Sequence, residues 1–327
     1  NLDDVVIRVG KCFDENIKEH INNNKNILII AHGNSLRALM VHLGKKNINN
    51  IENLEIDTAV PINIDHNYYK LKGRQILDSR GFPTLEVDCL VNNKLFSRGS
   101  TPSGASCGST EAIELRDNNK NLYLGKSIFN TINIIDNIIN KNLIINDENI
   151  IDIKNLDNQL ILLDKNNTNN NFKNYLGGNT TTAISFCLAK AGANKLNIQL
   201  YEYIKKIYNN NLEKYLLPTP LVNIINGGKH AGGKLKIQEF MILPNENFNF
   251  EKKIQIICEV YYNLQKLIVK KYGVSSKNIG DEGGFAPNIN SPDEALSLIE
   301  NAIKVANYIP GEDVYLALDC AASEFYN

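Results

Sequence analysis

Four short segments of this 327-residue sequence carry side chains able to move protons or hold charge. In KLKIQEFMILP (234–244), Glu239 shares parity with Leu235, Ile237, Met241 and Leu243. Alternation along a strand therefore puts its carboxylate on an apolar side. A buried carboxylate needs a cation, a metal or a donor, and taken alone Glu239 reads as half of a structural ion pair. NIGDEGGFAPN (278–288) sets Asp281 and Glu282 before two glycines, which let a backbone turn sharply or approach a ligand; an acidic β-turn has the same composition. NGGKHAGGK (226–234) holds one imidazole, His230, between two lysines in a glycine-rich loop, a composition suited to covering an anion. TPSGASCGSTEA (101–112) is a small-residue loop whose hydroxyls and N–H groups could face a phosphate or a metal, or simply link two elements. A fifth acid, Asp319, closes the apolar run Val314 to Leu318. Together these segments place hydroxyls, an imidazole and separated carboxylates at strand ends, where a barrel puts its active site.

The elements that must position them follow from hydrophobic patterning. Residues 4–21 have mainly helical spacing. Ile27 to Ile30 form a wholly apolar, β-branched run, the pattern of a strand buried on both faces. A helix follows from Leu36 to Leu43, with Asn34 or Ser35 available as its cap. DTAVPINIDHN (57–67) is an edge-strand candidate containing Pro61. Residues 68–104 alternate around Gly81-Phe82-Pro83 and again around Asn92-Asn93, which predicts antiparallel strands. Helical segments dominate from Ser109 to Cys187. After 215 come a strand, a long helix (250–272), a glycine turn, a helix (292–307) and a strand (314–319). That alternation predicts parallel α/β architecture of barrel type.

Composition narrows the partners. A formal net charge of −1 gives no electrostatic reason for nucleic acid or an anionic membrane. No apolar stretch reaches the ~20 residues needed to span a bilayer, so a soluble protein is expected. The six cysteines lie far apart without a C-x-x-C pair, as in a reduced intracellular protein. No pair of histidines has zinc-ligand spacing. Asparagine-rich tracts such as KNNTNNNFKN (165–174) read as polar filler on loops and exposed faces. The chain opens on asparagine, which leaves a targeting segment an open question.

From about Tyr68 onward the sequence resembles enolase. The words GRQILDSRGFPTLEVD, PSGASCGSTEAIELRD, NIINGGKHAGGKLKIQEFMILP, GDEGGFAPN and LALDCAASEF stand in family order over some 260 residues. The leading part, NLDDVVIRV and NILIIAHGNSLRALMVHL, is similar to the C-terminal portion of cofactor-dependent phosphoglycerate mutase. The two likenesses imply a mixed class, α/β and α+β: a mutase-like α/β piece over 1–66, an enolase-type α+β N-terminal domain over 67–213, and an incomplete TIM-like β/α barrel over 214–327.

The enolase likeness implies magnesium-dependent dehydration of 2-phosphoglycerate to phosphoenolpyruvate, in the cytoplasm, by a homodimer once complete. It makes Glu282 the proton donor and Glu239 its acidic partner at the substrate hydroxyl. His230 becomes a substrate contact, Asp319 the first of three acidic magnesium ligands, and Ser106 the ligand of a second magnesium. The mutase likeness makes His32 the stabiliser of a phosphoryl transition state, with Gly33 and Asn34 touching substrate. Several positions depart from family wording: Cys107 stands where threonine is usual, Lys229 where serine is, and Asp57 where proline is commoner.

The same likeness places two further magnesium acids, the lysine base and the basic phosphate ligands on strands beyond Asn327, and the mutase nucleophile before residue 1. The sequence is therefore expected to be a segment of a mutase–enolase fusion and to be inactive alone. The competing reading, from a different class, is a non-catalytic remnant or scaffold protein.

Overall fold

The computed structural model describes residues 2–22, 25–43, 55–57, 60–62, 67–104, 108, 110–167, 175–208, 215–231, 234–280 and 282–325. The chain divides into two compact units. One comprises residues 1–104 and 110–210, the other residues 105–109 and 211–327. The mixed α/β and α+β class expected from the sequence holds.

The first unit opens with α1 (Leu2–Asn16), α2 (Lys18–Asn22) and α3 (Gly33–His42). α3 buries Ala38, Leu39 and Met40, and the Phe13 ring of α1 meets His42 edge-on. The expected strand at Ile27–Ile30 does not form. These residues are unpaired, and Leu28 and Ile30 are 80% and 87% exposed. A strand buried on both faces needs neighbouring strands and covering helices, and the described residues of 2–62 contain no other strand. The edge strand expected over 57–67 is also absent at residues 60–62, while 58–59 and 63–66 lie outside the described residues.

The same unit continues as a meander of β1 (Tyr69–Leu77), β2 (Pro83–Val91) and β3 (Lys94–Ser100), antiparallel as expected. Asn92 and Asn93 both take positive φ, 51° and 61°, the two-residue turn that suits a right-handed hairpin. Leu71, Leu85, Val87 and Cys89 form the inner side of this sheet. Helical elements follow: α4 (Phe129–Ile134), a π turn (Ile135–Ile139), α5 (Asn140–Asn142), α6 (Ile153–Lys165), α7 (Gly178–Lys195) and α8 (Leu200–Ile207). On the outer side of the sheet, Asp88 accepts hydrogen bonds from Arg74 (2.6 and 2.9 Å) and from Arg98 (2.6 Å). Burial works against its charge, but the two guanidiniums outweigh it and hold the carboxyl below its usual range.

The second unit contains β4 (Val222–Asn226), α9 (Gly228–Ala231), β5 (Glu239–Pro244), α10 (Phe250–Tyr272), α11 (Pro292–Val305) and β6 (Val314–Asp319). The sheet order is β4-β5-β6, and both pairings are antiparallel, not parallel as the alternation predicts. The cause lies in the connections. One crossover helix returns the chain for a parallel strand, whereas two long helices, α10 and α11, separate β5 from β6 and reverse it once more. Between β4 and β5 stands only α9, four residues long.

Phe240 and Ile242 of β5 pack with Ile256, Val260 and Leu264 of α10 and with Ile299, Ala302 and Ile303 of α11. These helices cover one face of the sheet. Glu239, Met241 and Leu243 share the other face, which is half-buried. The side carrying Glu239 is thus apolar in composition, yet it is not the closed side.

α10 starts at Asn249, whose side chain accepts from the Lys252 N–H at 2.8 Å. It stops at Gly273, where φ is +88°. Asn249→Ala is expected to lower the stability of this unit by about 1 kcal/mol. The check is a reduced urea midpoint; an unchanged midpoint would mean that the cap contributes nothing.

Candidate active site

Register brings three polar side chains to one end of the second unit's sheet. Asn226, the last residue of β4, stands opposite Glu239, the first of β5. Glu239 stands opposite Asp319, the last of β6. Directly opposed residues of antiparallel strands point to the same face, so Asn226, Glu239 and Asp319 form a row along the rim.

The fourth side chain comes from the loop between α10 and α11. Gly280 N–H donates to Gly284 O at 2.8 Å, closing a tight hairpin. This hairpin is stitched to the free edge of β4: Asn226 N–H donates to Phe285 O (2.8 Å), and Phe285 N–H donates to Ile224 O (3.0 Å). Two glycines make the approach feasible. Gly283 has φ +82°, and a Cβ at Gly284 would lie 2.5 Å from Asn226 Oδ1. The loop thereby delivers Glu282, whose Oε2 accepts from Asn226 Nδ2 at 2.8 Å. Gln238 Nε2 stands 3.5 Å from Oε1.

Electrostatics single out Glu239. Its carboxyl is pushed up to about 7, first by burial, then by the hydrogen bond and charge of Glu282, then by the charge of Asp319. Like charges cannot all ionise at one rim without cost, so near neutral pH Glu239 still carries a proton about half of the time. Asp319 turns one oxygen, Oδ1, to the N–H of Ala321 at 2.9 Å.

The structure thus brings Glu239, Glu282 and Asp319 together. The backbone of His230 lies in α9, and the loop around it is pinned by Gly227 N–H to Gln238 O (2.9 Å) and Gly228 N–H to Leu235 O (2.7 Å). The His230 side chain, Asp281 and Ser106 lie outside the described residues. His32, Gly33 and Asn34 belong to the other unit. There His32 is the N-cap of α3, and its Nδ1 accepts from the Asn34 N–H at 3.3 Å. This corrects the cap expected at Asn34 or Ser35: the helix starts earlier, at Gly33. The Asn34 side chain accepts from Arg37 Nη1 at 3.0 Å.

Sequence reading missed Asn226 and Gln238. Each lies inside a quoted motif, Asn226 before the Gly-Gly pair and Gln238 before Glu239, but neither carries charge. A magnesium site is a stricter matter. Magnesium wants near-octahedral oxygen coordination, and among the described residues no group of three or more His, Cys, Asp or Glu side chains could hold a metal. Those residues alone do not fit the ion.

Comparisons with known proteins bear on the family of the chain. Residues 69–204 match the family model "Enolase, N-terminal domain", and residues 214–327 match "Enolase, C-terminal TIM barrel domain". Residues 1–75 match "Histidine phosphatase superfamily (branch 1)". The chain is 46% identical over 260 residues to enolase of Solanum lycopersicum, covering 78% of this chain and 56% of that protein. It is 44% identical over 257 residues to enolase of Ehrlichia chaffeensis, covering 79% and 58%. It spans somewhat more than half the length of these curated relatives. Residues 69–327 belong to the enolase family, and they follow a leading segment similar to the histidine phosphatase superfamily, phosphoglycerate-mutase-like.

Proposed function

We propose that this chain supplies the acid side of an enolase site, for the magnesium-dependent dehydration of 2-phosphoglycerate to phosphoenolpyruvate in glycolysis. The carrying observation is the convergence of Glu239, Glu282 and Asp319, with Glu239 raised to about 7. Expelling hydroxide requires a proton at the leaving oxygen near neutral pH. A rim with a carboxyl still partly protonated at that pH, as Glu239 is, can provide it. In this reading Glu282 gives the proton and Glu239 binds the same hydroxyl. His230 contacts substrate from the α9 loop.

Magnesium, where bound, supplies positive charge against the developing negative charge of the substrate. Asp319 and Ser106 would be among the groups to hold it in this chain. Because the described residues do not complete six oxygen ligands, the chemistry assigned here is confined to the proton. The family likeness identifies one of three metal acids and no lysine base within these 327 residues, so we propose that the chain alone does not turn over.

The leading segment supports a coupled arrangement, since the mutase reaction makes the compound that enolase dehydrates. Segments 1–66, 67–213 and 214–327 are its mutase-like, N-terminal and barrel parts, in a cytoplasmic homodimer. With His32 Nδ1 accepting from Asn34, a phosphoryl contact would fall to Nε2, beside Gly33 and Asn34.

The test uses material from the native source, captured with an antibody raised against these residues, beside the purified 327-residue chain. Both are mixed with 2-phosphoglycerate and magnesium, and enol-phosphate absorbance is followed. The native material is expected to convert substrate and to stop on chelation; the chain alone is expected to be silent. A native protein that makes no phosphoenolpyruvate would sink the enolase reading. Turnover by the chain alone would sink only the claim that its site is incomplete.

A further inference from the structure

Two residues with no part in the roles assigned above fix the loop that presents Glu282. Asn226 is 1% exposed, and its amide is oriented from both ends. Its Oδ1 accepts from Asn223 Nδ2 at 3.1 Å, while its Nδ2 donates to Glu282 Oε2 at 2.8 Å. Its backbone is tied to Phe285, and Gly280 and Gly284 lie so close that a Cβ at either would come within 3.0 Å of its side chain.

Tyr261 supports the same loop from α10. Its ring stacks on Phe285, with centroids 4.3 Å apart and planes at 26°. Its hydroxyl donates to Gly283 O at 3.0 Å. Neighbouring Ile257, Val260 and Leu264 anchor α10 in the core, so the hydroxyl is presented from a fixed element. Burial raises the phenol above its ordinary value and keeps it a donor.

We propose that Asn226 and Tyr261 are positioning residues. Asn226 sets the direction of the Glu282 carboxylate, and Tyr261 sets the position of the backbone that carries it. The proposal deepens the enolase reading and rests on it for the reaction served, a proton delivered to the hydroxyl of a phosphorylated acid. The contacts themselves are independent of that reading.

The experiment begins with the 327-residue chain, labelled with ¹³C at glutamate carboxyls, the Glu282 signal being identified by its loss in E282Q. Glu239 faces Glu282, and Asp319 stands opposite Glu239; neither is altered by the variants. Asn226→Ala removes a donor that favours the ionised carboxylate. The Glu282 carboxyl signal is therefore expected to move at fixed pH, by well over its linewidth. Tyr261→Phe deletes a single oxygen and serves where Asn226→Ala does not fold. It is expected to shift the same signal and to speed amide exchange at Gly283 and Phe285. Folded variants with an unmoved Glu282 signal would overturn the proposal.

A second arm uses native-source protein and its variants. Asn226→Ala is expected to lower kcat by about 10–100-fold with KM within about twofold, as for a misplaced reacting group. A raised KM with unchanged kcat would overturn the positioning role. If the carboxyl signal moves but the unsubstituted protein makes no phosphoenolpyruvate, the positioning of Glu282 stands and the enolase reading falls.

Discussion

Glu282→Gln is expected to cut turnover of 2-phosphoglycerate by about 10²–10⁴-fold in protein that carries out the conversion, the usual loss on removing a general acid. Glutamine keeps the length of the side chain and an oxygen able to accept from Asn226 Nδ2, now 2.8 Å from Oε2. The loop is held independently of the carboxyl, by Gly280 to Gly284, Asn226 to Phe285 and Phe285 to Ile224. The variant should therefore fold, and KM should stay within about threefold, since what is lost is made in the transition state. The measurement is kcat and KM for 2-phosphoglycerate at saturating magnesium, with circular dichroism as the folding control. A kcat within threefold of the parent would remove Glu282 from the acid role.

Much of this site was legible in the sequence because its acids lie in distinctive words at element ends. The placement of α10 and of β6, with Asp319 at its tip, followed from patterning alone. Other features were not local. Ile27–Ile30 has the composition of a buried strand, but a strand exists only through partners, and its neighbours here are not strands. The antiparallel direction of β5 depends on two helices following it rather than one, which a helix–strand alternation does not encode as direction. Asn226 and Tyr261 escaped for another reason. Each is an ordinary residue in sequence, and its importance comes from a contact with a segment tens of residues away, Asn226 with Glu282 and Tyr261 with Gly283. Charge advertises itself in a sequence; the neutral donors that orient charge do not.

The rim acids also have a thermodynamic signature that is readable without substrate. Glu239 has its carboxyl raised from 4.5 to about 7 in the folded chain. Between those values the native state binds more protons than the unfolded state. The slope of unfolding free energy with pH is then negative, so stability falls as pH rises from about 4.5 to about 7. This is opposite to the behaviour of a carboxylate held in an ion pair, such as Asp88, which adds stability as pH rises. The full displacement corresponds to about 3 kcal/mol, and solvent access to a half-buried group reduces that to about 1–2 kcal/mol. Glu239→Gln keeps the shape of the residue and abolishes its titration. The variant is thus expected to match the parent in urea unfolding of the second unit near pH 4.5 and to exceed it by about 1–2 kcal/mol near pH 8. A difference that is constant across this range, or one that favours the parent at high pH, would show that burial and the charges of Glu282 and Asp319 do not raise the Glu239 carboxyl. The expected sign means that the acid row destabilises the fold that presents it, and the buried face of Phe240 and Ile242 against α10 and α11 supplies the stability that tolerates it.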